Sequence, residues 1–286
     1  MAERDNPFET PQPRGIRVVQ GTLRVVVVAQ CLGTAAAWLH HRRENPLLQL
    51  LGQARDLTSE QLLSAQNGIA AAMIVLAALT LLRPSTFSLL PVIVYQSAWN
   101  IAAVLTESGE FPYLQPALRC LLAIVPLALL LIDFWPPRIR PTLILCLSSV
   151  SLLRLGTAAT FIAHGLFSLW SFPDGSLADL LRNVFQEARG EELPEVLIGP
   201  GLATIAAVDF SLALCVVVSR LKTMALLSVV WGFALAASHT LAFGATGYDL
   251  TLQSLGSAGA PLAVLLFWVL AVREQKPVYL PDDSDR

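Results

Sequence analysis

Residues 205–230 read IAAVDFSLALCVVVSRLKTMALLSVV, and this stretch decides the fold class. Two apolar runs stand on either side of a short basic turn at residues 220–222. A helix that crosses the hydrocarbon core of a bilayer needs about 20 mostly apolar residues, and both runs extend far enough for that. Because the connection is so short, the two helices are predicted to form an antiparallel hairpin in a membrane.

The same apolar character extends over the whole chain of 286 residues. Apolar residues make up 55 % of the sequence and charged residues only 14 %, and the mean hydropathy is +0.61. Soluble domains carry about 25 % charged residues, so a water-soluble enzyme is excluded. The net charge of −2 leaves no basic surplus for a phosphate backbone, so we expect no nucleic acid partner. The expected environment, and the first partner, is the lipid bilayer.

Eight apolar segments of sufficient length occur along the chain. The sequence therefore predicts an all-α, polytopic integral membrane protein with eight transmembrane helices. The predicted spans cover residues 17–39, 66–83, 86–105, 116–134, 145–170, 200–219, 223–243 and 256–273.

Two long polar loops, 40–65 and 171–199, separate spans one and two and spans five and six. In the second loop, apolar residues recur at helical spacing, which predicts an amphipathic helix lying over the ends of the spans. These residues are Leu177, Leu180, Leu181, Val184 and Phe185.

Lysine and arginine are distributed unequally between the two sides that the spans define. With the N-terminus inside, most basic residues of the connections fall on the cytoplasmic side. Because cytoplasmic loops of membrane proteins are enriched in Lys and Arg, both termini are predicted to be cytoplasmic.

The chain also aligns with itself. The segment TLRVVVVAQCLGTAAAWL, from Thr22, aligns with LLRLGTAATFIAHGLFSL, from Leu152, and IAAAMIVLAALTLLR, from Ile69, aligns with IAAVDFSLALCVVVSR, from Ile205. Matches in the same order indicate a tandem duplication. We therefore predict two parallel four-helix repeats at 17–134 and 145–273, with a disordered cytoplasmic tail at 1–16 and a second cytoplasmic tail at 274–286. Four spans return the chain to its starting side, so the repeats should be related by an axis along the membrane normal.

The second repeat resembles a known family. The segment from Leu152, with Arg154 early in the span and His164 ten residues later, resembles the first span of DoxX-type proteins. Residues 205–230, with Asp209 and the basic turn, resemble the second and third spans. The resemblance to the DoxX/DoxD-like family implies a multi-pass protein of the bacterial cytoplasmic (inner) membrane. It also implies a membrane subunit or accessory of a quinone- or thiol-linked oxidoreductase, with subunits of a redox complex as protein partners.

The first repeat departs from this pattern, because Met73 aligns with Asp209 and Thr34 with His164. We therefore expect any site to lie in the second repeat.

Four ionisable residues in the second repeat need a partner or a polar cavity, because an isolated charge in the hydrocarbon core is costly. Helical spacing places Asp209, His164 and His239 in the outer half of the membrane, with Arg154 below them. In the functional interpretation, Asp209, His164 and Arg154 are catalytic, Arg154 being the counter-ion, and His239 contributes to cofactor binding. The grouping could bind a quinone head group and move its protons, since histidine titrates near neutrality. No haem or metal motif is present. In the structural interpretation, Asp209 pairs with Arg154 or His164 only to hold the helices in register.

Two other functions remain open. A structural or assembly subunit of a membrane complex, without chemistry of its own, fits the absence of a self-sufficient cofactor motif. A small-solute transporter fits the tandem parallel repeats, although the spans lack the Gly- or Pro-broken centres that form a midplane site in many transporters.

The predicted topology can be tested with reporter fusions. Fusions after Pro84 and after Arg140 should report a cytoplasmic location, because the basic turns lie there, whereas fusions within 106–115 and 180–195 should report an external location. An external signal after Arg140 would contradict the arrangement of two four-span repeats.

Overall fold

The structure is a computed structural model that describes residues 14–41, 43, 45–107, 110–133, 142–219 and 221–271. Within these ranges every regular element is helical. The α-helices are α1 (Arg14–Leu39), α2 (Pro46–Arg55), α3 (Ser59–Leu82), α4 (Thr86–Leu105), α5 (Gln115–Leu118), α6 (Leu121–Ile132), α7 (Leu143–Trp170), α8 (Ser176–Arg189), α9 (Glu195–Val218), α10 (Lys222–Phe243), α11 (Tyr248–Ser254) and α12 (Gly256–Leu266). Short 3₁₀ turns precede α5 and α11, and a π-helical turn follows α12.

Seven helical segments in the described ranges are long and apolar enough to cross a membrane. They are Arg14–Leu39, Ser59–Leu82, Thr86–Leu105, Pro112–Ile132, Ile144–Trp170, Glu195–Val218 and Lys222–Ser254. The predicted all-α class and the polytopic membrane character are confirmed. The segment predicted as the eighth span contains a shorter apolar helix, Gly256–Leu270, and the residues after 271 lie outside the described ranges.

Several helices begin before the predicted apolar segments, because polar residues continue them. Helix α1 begins at Arg14, so residues 14–16 are helical and do not belong to a disordered tail, while residues 1–13 lie outside the described ranges. Helix α3 begins at Ser59 because Thr58 caps it: the Thr58 hydroxyl accepts from the Gln61 backbone, and the Gln61 side chain accepts from the Thr58 backbone.

The long helices of residues 17–134 pack against one another in the same order as those of residues 145–273. Helix α1 packs along α3 as α7 packs along α9, and α4 packs on α6 as α10 packs on α12. The two halves meet where α6 packs on α7 and α12 packs on α1. Each principal contact in one half thus has a counterpart in the other.

Two of the apolar segments are interrupted on the side of the bundle that carries α8. A tight turn at Arg119 and Cys120 separates α5 from α6, and Leu255 separates α11 from α12. The sequence predicted spans without Gly- or Pro-broken centres, and both breaks lie near the ends of apolar segments and not at their centres. Gly256 follows the second break, and a Cβ there would meet the side chains of Gln30 and Leu121.

The amphipathic helix predicted in the second long loop is confirmed as α8. Its apolar residues Leu177, Ala178 and Leu180 are buried against Ile198 and Leu202 of α9. Helix α8 therefore covers one end of the bundle, and this end is called the α8 side below.

Close backbone contact between α10 and α12 depends on Gly232. A Cβ at this position would overlap the carbonyl group of Ser257 and lie 2.7 Å from the Ala258 nitrogen. We expect Gly232→Ala to lower the free energy of unfolding by about 1–3 kcal/mol, because the helices must move apart. Unfolding in mixed detergent micelles measures this change.

Gly68 in α3 provides the matched control, since nothing lies within 4 Å of a Cβ placed there. Gly68→Ala should be neutral or stabilise the protein by up to about 1 kcal/mol through its helix propensity. Equal effects of the two substitutions would contradict the close packing of α10 on α12.

Candidate functional site

The side chain of Asp209 is fully buried in α9 and is held by residues of two other helices. Nδ1 of His164, on α7, lies 2.6 Å from Asp209 Oδ2. Nε1 of Trp231, on α10, donates a hydrogen bond of 2.7 Å to Asp209 Oδ1. Both carboxylate oxygens are therefore satisfied, and α7, α9 and α10 are joined at one point.

The contact with Asp209 determines which nitrogen of His164 remains available. When Asp209 is ionised it only accepts hydrogen bonds, and Nδ1 of His164 then carries the proton that faces it. Among the described residues, no group hydrogen-bonds Nε2. His164 also lines a cavity, so its ring connects the buried carboxylate with that space.

The cavity lies on the α8 side of the bundle and has a volume of about 470 Å³. Its walls come from α5 to α8 and from α10 to α12, so both halves of the chain contribute. Most of the wall is apolar, and it includes Leu121, Leu122, Phe167, Leu177, Leu180 and Leu235. A second space of about 410 Å³ shares part of this lining under α8 and reaches His41 and Phe243. Ligand sites of proteins commonly have this size and a largely apolar surface, and here polar side chains, among them Arg43, Arg119 and His239, stand beside the apolar ones.

The prediction that Asp209, His164 and His239 lie together is supported by this geometry. Asp209 pairs with His164, and His239 lines the same cavity as His164. His239 Nδ1 is buried and has no hydrogen-bond partner in the described part of the chain.

Arg154 lies elsewhere, and the prediction that it is the counter-ion of Asp209 is wrong. Its guanidinium donates hydrogen bonds to the carbonyl oxygens of Val216, Val217 and Ser219, at the C-terminal end of α9. It also lies over the ring of Trp268. Val216 is about 10 Å beyond Asp209 along the helix axis. The exposed carbonyl groups of a helix end attract a cation, and Arg154 satisfies them.

The cavity is also lined by Arg43 and Arg119, which the sequence did not indicate as site residues. Arg43 forms a two-point ion pair with Asp249, whose side chain is fully buried, at distances of 2.7 and 3.2 Å. Arg119 donates a 3.1 Å hydrogen bond to Gln253 and lies over the ring of Trp99, with 3.9 Å between Cζ and the ring centroid.

The sequence contained only a weak signal for these residues. Arg119 is a charge within a predicted span, which called for a partner, but Gln253 lies 134 residues away in the chain. Asp249 belongs to a connection that the sequence did not predict to fold back as α11. Trp231 was missed because an apolar span does not distinguish a packed indole from one that donates a hydrogen bond.

Within the described ranges, no group of three or more His, Cys, Asp or Glu residues is placed to hold a metal ion. The sequence matches no protein-family model, and comparisons with curated proteins and with solved structures find no similar chain. The geometry of the cavity and of the Asp209 contacts is therefore the basis for a functional hypothesis.

The contacts of Asp209 predict that its replacement by Leu destabilises the protein more than its replacement by Asn. Asp209→Leu should lower the free energy of unfolding by about 3–5 kcal/mol, because it leaves His164 Nδ1 and Trp231 Nε1 buried without an acceptor. Asp209→Asn should cost only about 1–2 kcal/mol, since the amide oxygen still accepts one of the two bonds. Unfolding in mixed micelles measures both values.

A double substitution separates this arrangement from an Asp209–Arg154 pair. Because the two side chains do not touch, the losses caused by Asp209→Leu and Arg154→Leu should add to within about 0.5 kcal/mol. Recovery of stability in the double variant would show that the two residues are partners after all.

Proposed function

We propose that this chain is a DoxX/DoxD-like integral membrane protein of the bacterial cytoplasmic (inner) membrane. We further propose that it binds a quinone, as a membrane subunit or accessory of a quinone- or thiol-linked oxidoreductase. One observation carries this proposal: His164, which pairs with the buried Asp209, lines a cavity whose surface is mostly apolar. A quinone needs apolar walls for its ring and chain and a few hydrogen-bonding groups for its carbonyl oxygens.

In this proposal His164 is the group that exchanges protons with the quinone. Reduction of a quinone to a quinol takes two electrons and two protons. His164 passes protons to the carbonyl oxygens through Nε2, while the partner subunits of the redox complex supply the electrons. Asp209 orients the ring through Nδ1 and stabilises the imidazolium form. His239 is the second hydrogen-bonding group of the cavity. Arg154 does not take part in this proton transfer, because it contacts the C-terminal end of α9.

The topology that accompanies this proposal has eight spans in two parallel repeats, with both termini in the cytoplasm. The corresponding helix pairs of the two halves support the repeats. The breaks in α5–α6 and α11–α12 support them too, because they lie at related positions in the two halves. The distribution of Lys and Arg supports the orientation. With this orientation the cavity belongs to the outer half of the membrane.

A small-solute transporter is the second candidate, and the two interrupted segments favour it. Discontinuous helices at corresponding positions of two repeats mark the substrate site of many transporters, and here both interruptions border the cavity. The largely apolar wall favours an apolar ligand over a hydrated solute, so quinone binding remains the better supported function.

Quinone retention tests the proposal. His164→Asn keeps a donor close to the position of Nδ1, and so retains the bond to Asp209, but it removes Nε2. We expect His164→Asn and Asp209→Asn to reduce bound quinone at least tenfold, measured by extraction from protein purified in mild detergent and by titration in lipid nanodiscs. The control is Asp133→Asn, which removes a carboxylate that pairs with Arg24 in the other half and should leave quinone binding unchanged.

The same measurements, together with an uptake assay, distinguish quinone binding from a structural role and from transport. Wild-type protein that neither retains nor binds a quinone would refute the proposal. Loss of stability in Asp209→Asn with unchanged quinone content would favour a structural or assembly subunit. Uptake of a polar solute into proteoliposomes without quinone binding would favour the transporter.

A further inference from the structure

Arg119 occupies an unusual position at the wall of the cavity. It lies in the tight turn between α5 and α6, and its hydrogen bond to Gln253 reaches α11, just before the other interruption. Its guanidinium carbon lies 3.9 Å from the centroid of the Trp99 ring. Arg119 therefore stands where the two interrupted segments meet.

Arg119 forms no ion pair with any described residue, since its charge lies over the Trp99 ring and its hydrogen bond goes to the neutral Gln253. The charged side chains in its surroundings are Arg43 and Asp249, and these two form an ion pair with each other. A guanidinium has five N–H donors, and the described residues accept a hydrogen bond from only one of its nitrogens. An uncompensated cation in an apolar environment is costly unless water or a ligand solvates it.

His239 is a second, independent sign of an absent partner. Its Nδ1 is buried without a hydrogen bond, and its ring lines the same cavity as Arg119. The cavity is thus lined by a cation that has no counter-ion among the described residues and by a histidine whose buried Nδ1 has no hydrogen-bond partner there. A neutral carbonyl oxygen could accept hydrogen bonds from Arg119 but would leave its charge without a counter-ion.

We propose that Arg119 anchors the head group of the cavity's ligand, and that this head group carries an anionic oxygen on an apolar body. The planar guanidinium can present two parallel N–H groups to a carboxylate or to the ionised oxygen of a hydroxyquinone. The inference rests on the proposed function in that it takes the cavity as the ligand site, and it adds the charge of the ligand and the residue that selects it.

Binding of paired probes to the full chain in neutral detergent tests this inference. Tritiated dodecanoate is bound to immobilised protein near neutral pH and followed by a scintillation proximity assay. Unlabelled dodecanol, a hydroxynaphthoquinone and a methylnaphthoquinone serve as competitors. We expect dodecanoate to bind at least tenfold more tightly than dodecanol, and the ionised hydroxynaphthoquinone more tightly than its neutral methyl analogue.

Substitutions of Arg119 test whether this residue causes the preference for anionic probes. Arg119→Gln keeps a donor for Gln253 but removes the charge, so it should abolish the preference for the anion in both pairs, whereas Arg119→Lys should retain part of it. The matched control is Arg55→Gln, because Arg55 is exposed on α2 and is not among the residues that line the cavity. The comparison of probes on wild-type protein requires no variant and so remains decisive if Arg119→Gln fails to fold.

The outcomes separate this inference from the proposed function. Wild-type protein that does not bind dodecanoate, or does not distinguish anions from neutral analogues, would overturn the inference. Unchanged selectivity in Arg119→Gln would also overturn it. Arg119-dependent binding of dodecanoate without binding of either quinone would support the inference and refute quinone binding. Binding of the methylnaphthoquinone that depends on His164 and shows no preference for anions would support quinone binding and overturn the inference.

Discussion

The buried carboxylate of Asp209 imposes the strongest constraint on the arrangement of the second half. An unpaired carboxylate in the hydrocarbon core costs several kcal/mol, so α9 can adopt only orientations in which Asp209 finds donors. It finds them on α7 and on α10, in His164 and Trp231. The rotation of three helices about their axes is thereby coupled. The position of His164 at the cavity wall follows from this coupling, so the interaction that stabilises the bundle also orients the candidate proton-transfer group.

The same constraint explains the other polar contacts of the bundle. Arg24 pairs with Asp133 at 2.6 Å within the first half, and Arg43 pairs with Asp249 between the halves. Arg154 satisfies the carbonyl groups at the end of α9. Each of these groups has a partner in the protein, as expected where little water is available. Arg119 differs from them, because its hydrogen bond to Gln253 and its contact with Trp99 leave it without an anionic partner among the described residues, and it lies at the cavity between the two interrupted segments.

The two halves have similar helix pairs but different interiors. Thr34, which aligns with His164, donates to the Gln30 carbonyl and accepts from Gln96, so its hydrogen bonds stay within a buried polar cluster. Met73, which aligns with Asp209, is buried in the apolar core. The first half is therefore packed at the positions where the second half has its candidate site. It contributes to the cavity instead through Arg43 and Arg119, and this is why the cavity requires both halves.

The sequence by itself determined the helical class, the positions of the long apolar helices, the amphipathic helix α8 and the need of Asp209 for a partner on span five, His164 or Arg154. These features depend on local length, on periodicity and on residues in consecutive spans, all of which are visible along the chain. Only the tertiary structure decided that Arg154 binds the end of α9, that two segments break near Arg119 and Leu255, and that Arg119 and Gln253 meet. Arginine is long enough to reach several neighbours, and its actual partner depends on how helices far apart in the chain are docked. Arg43 and Asp249 are 206 residues apart and Arg119 and Gln253 are 134 residues apart, so neither contact exists until the two halves pack together.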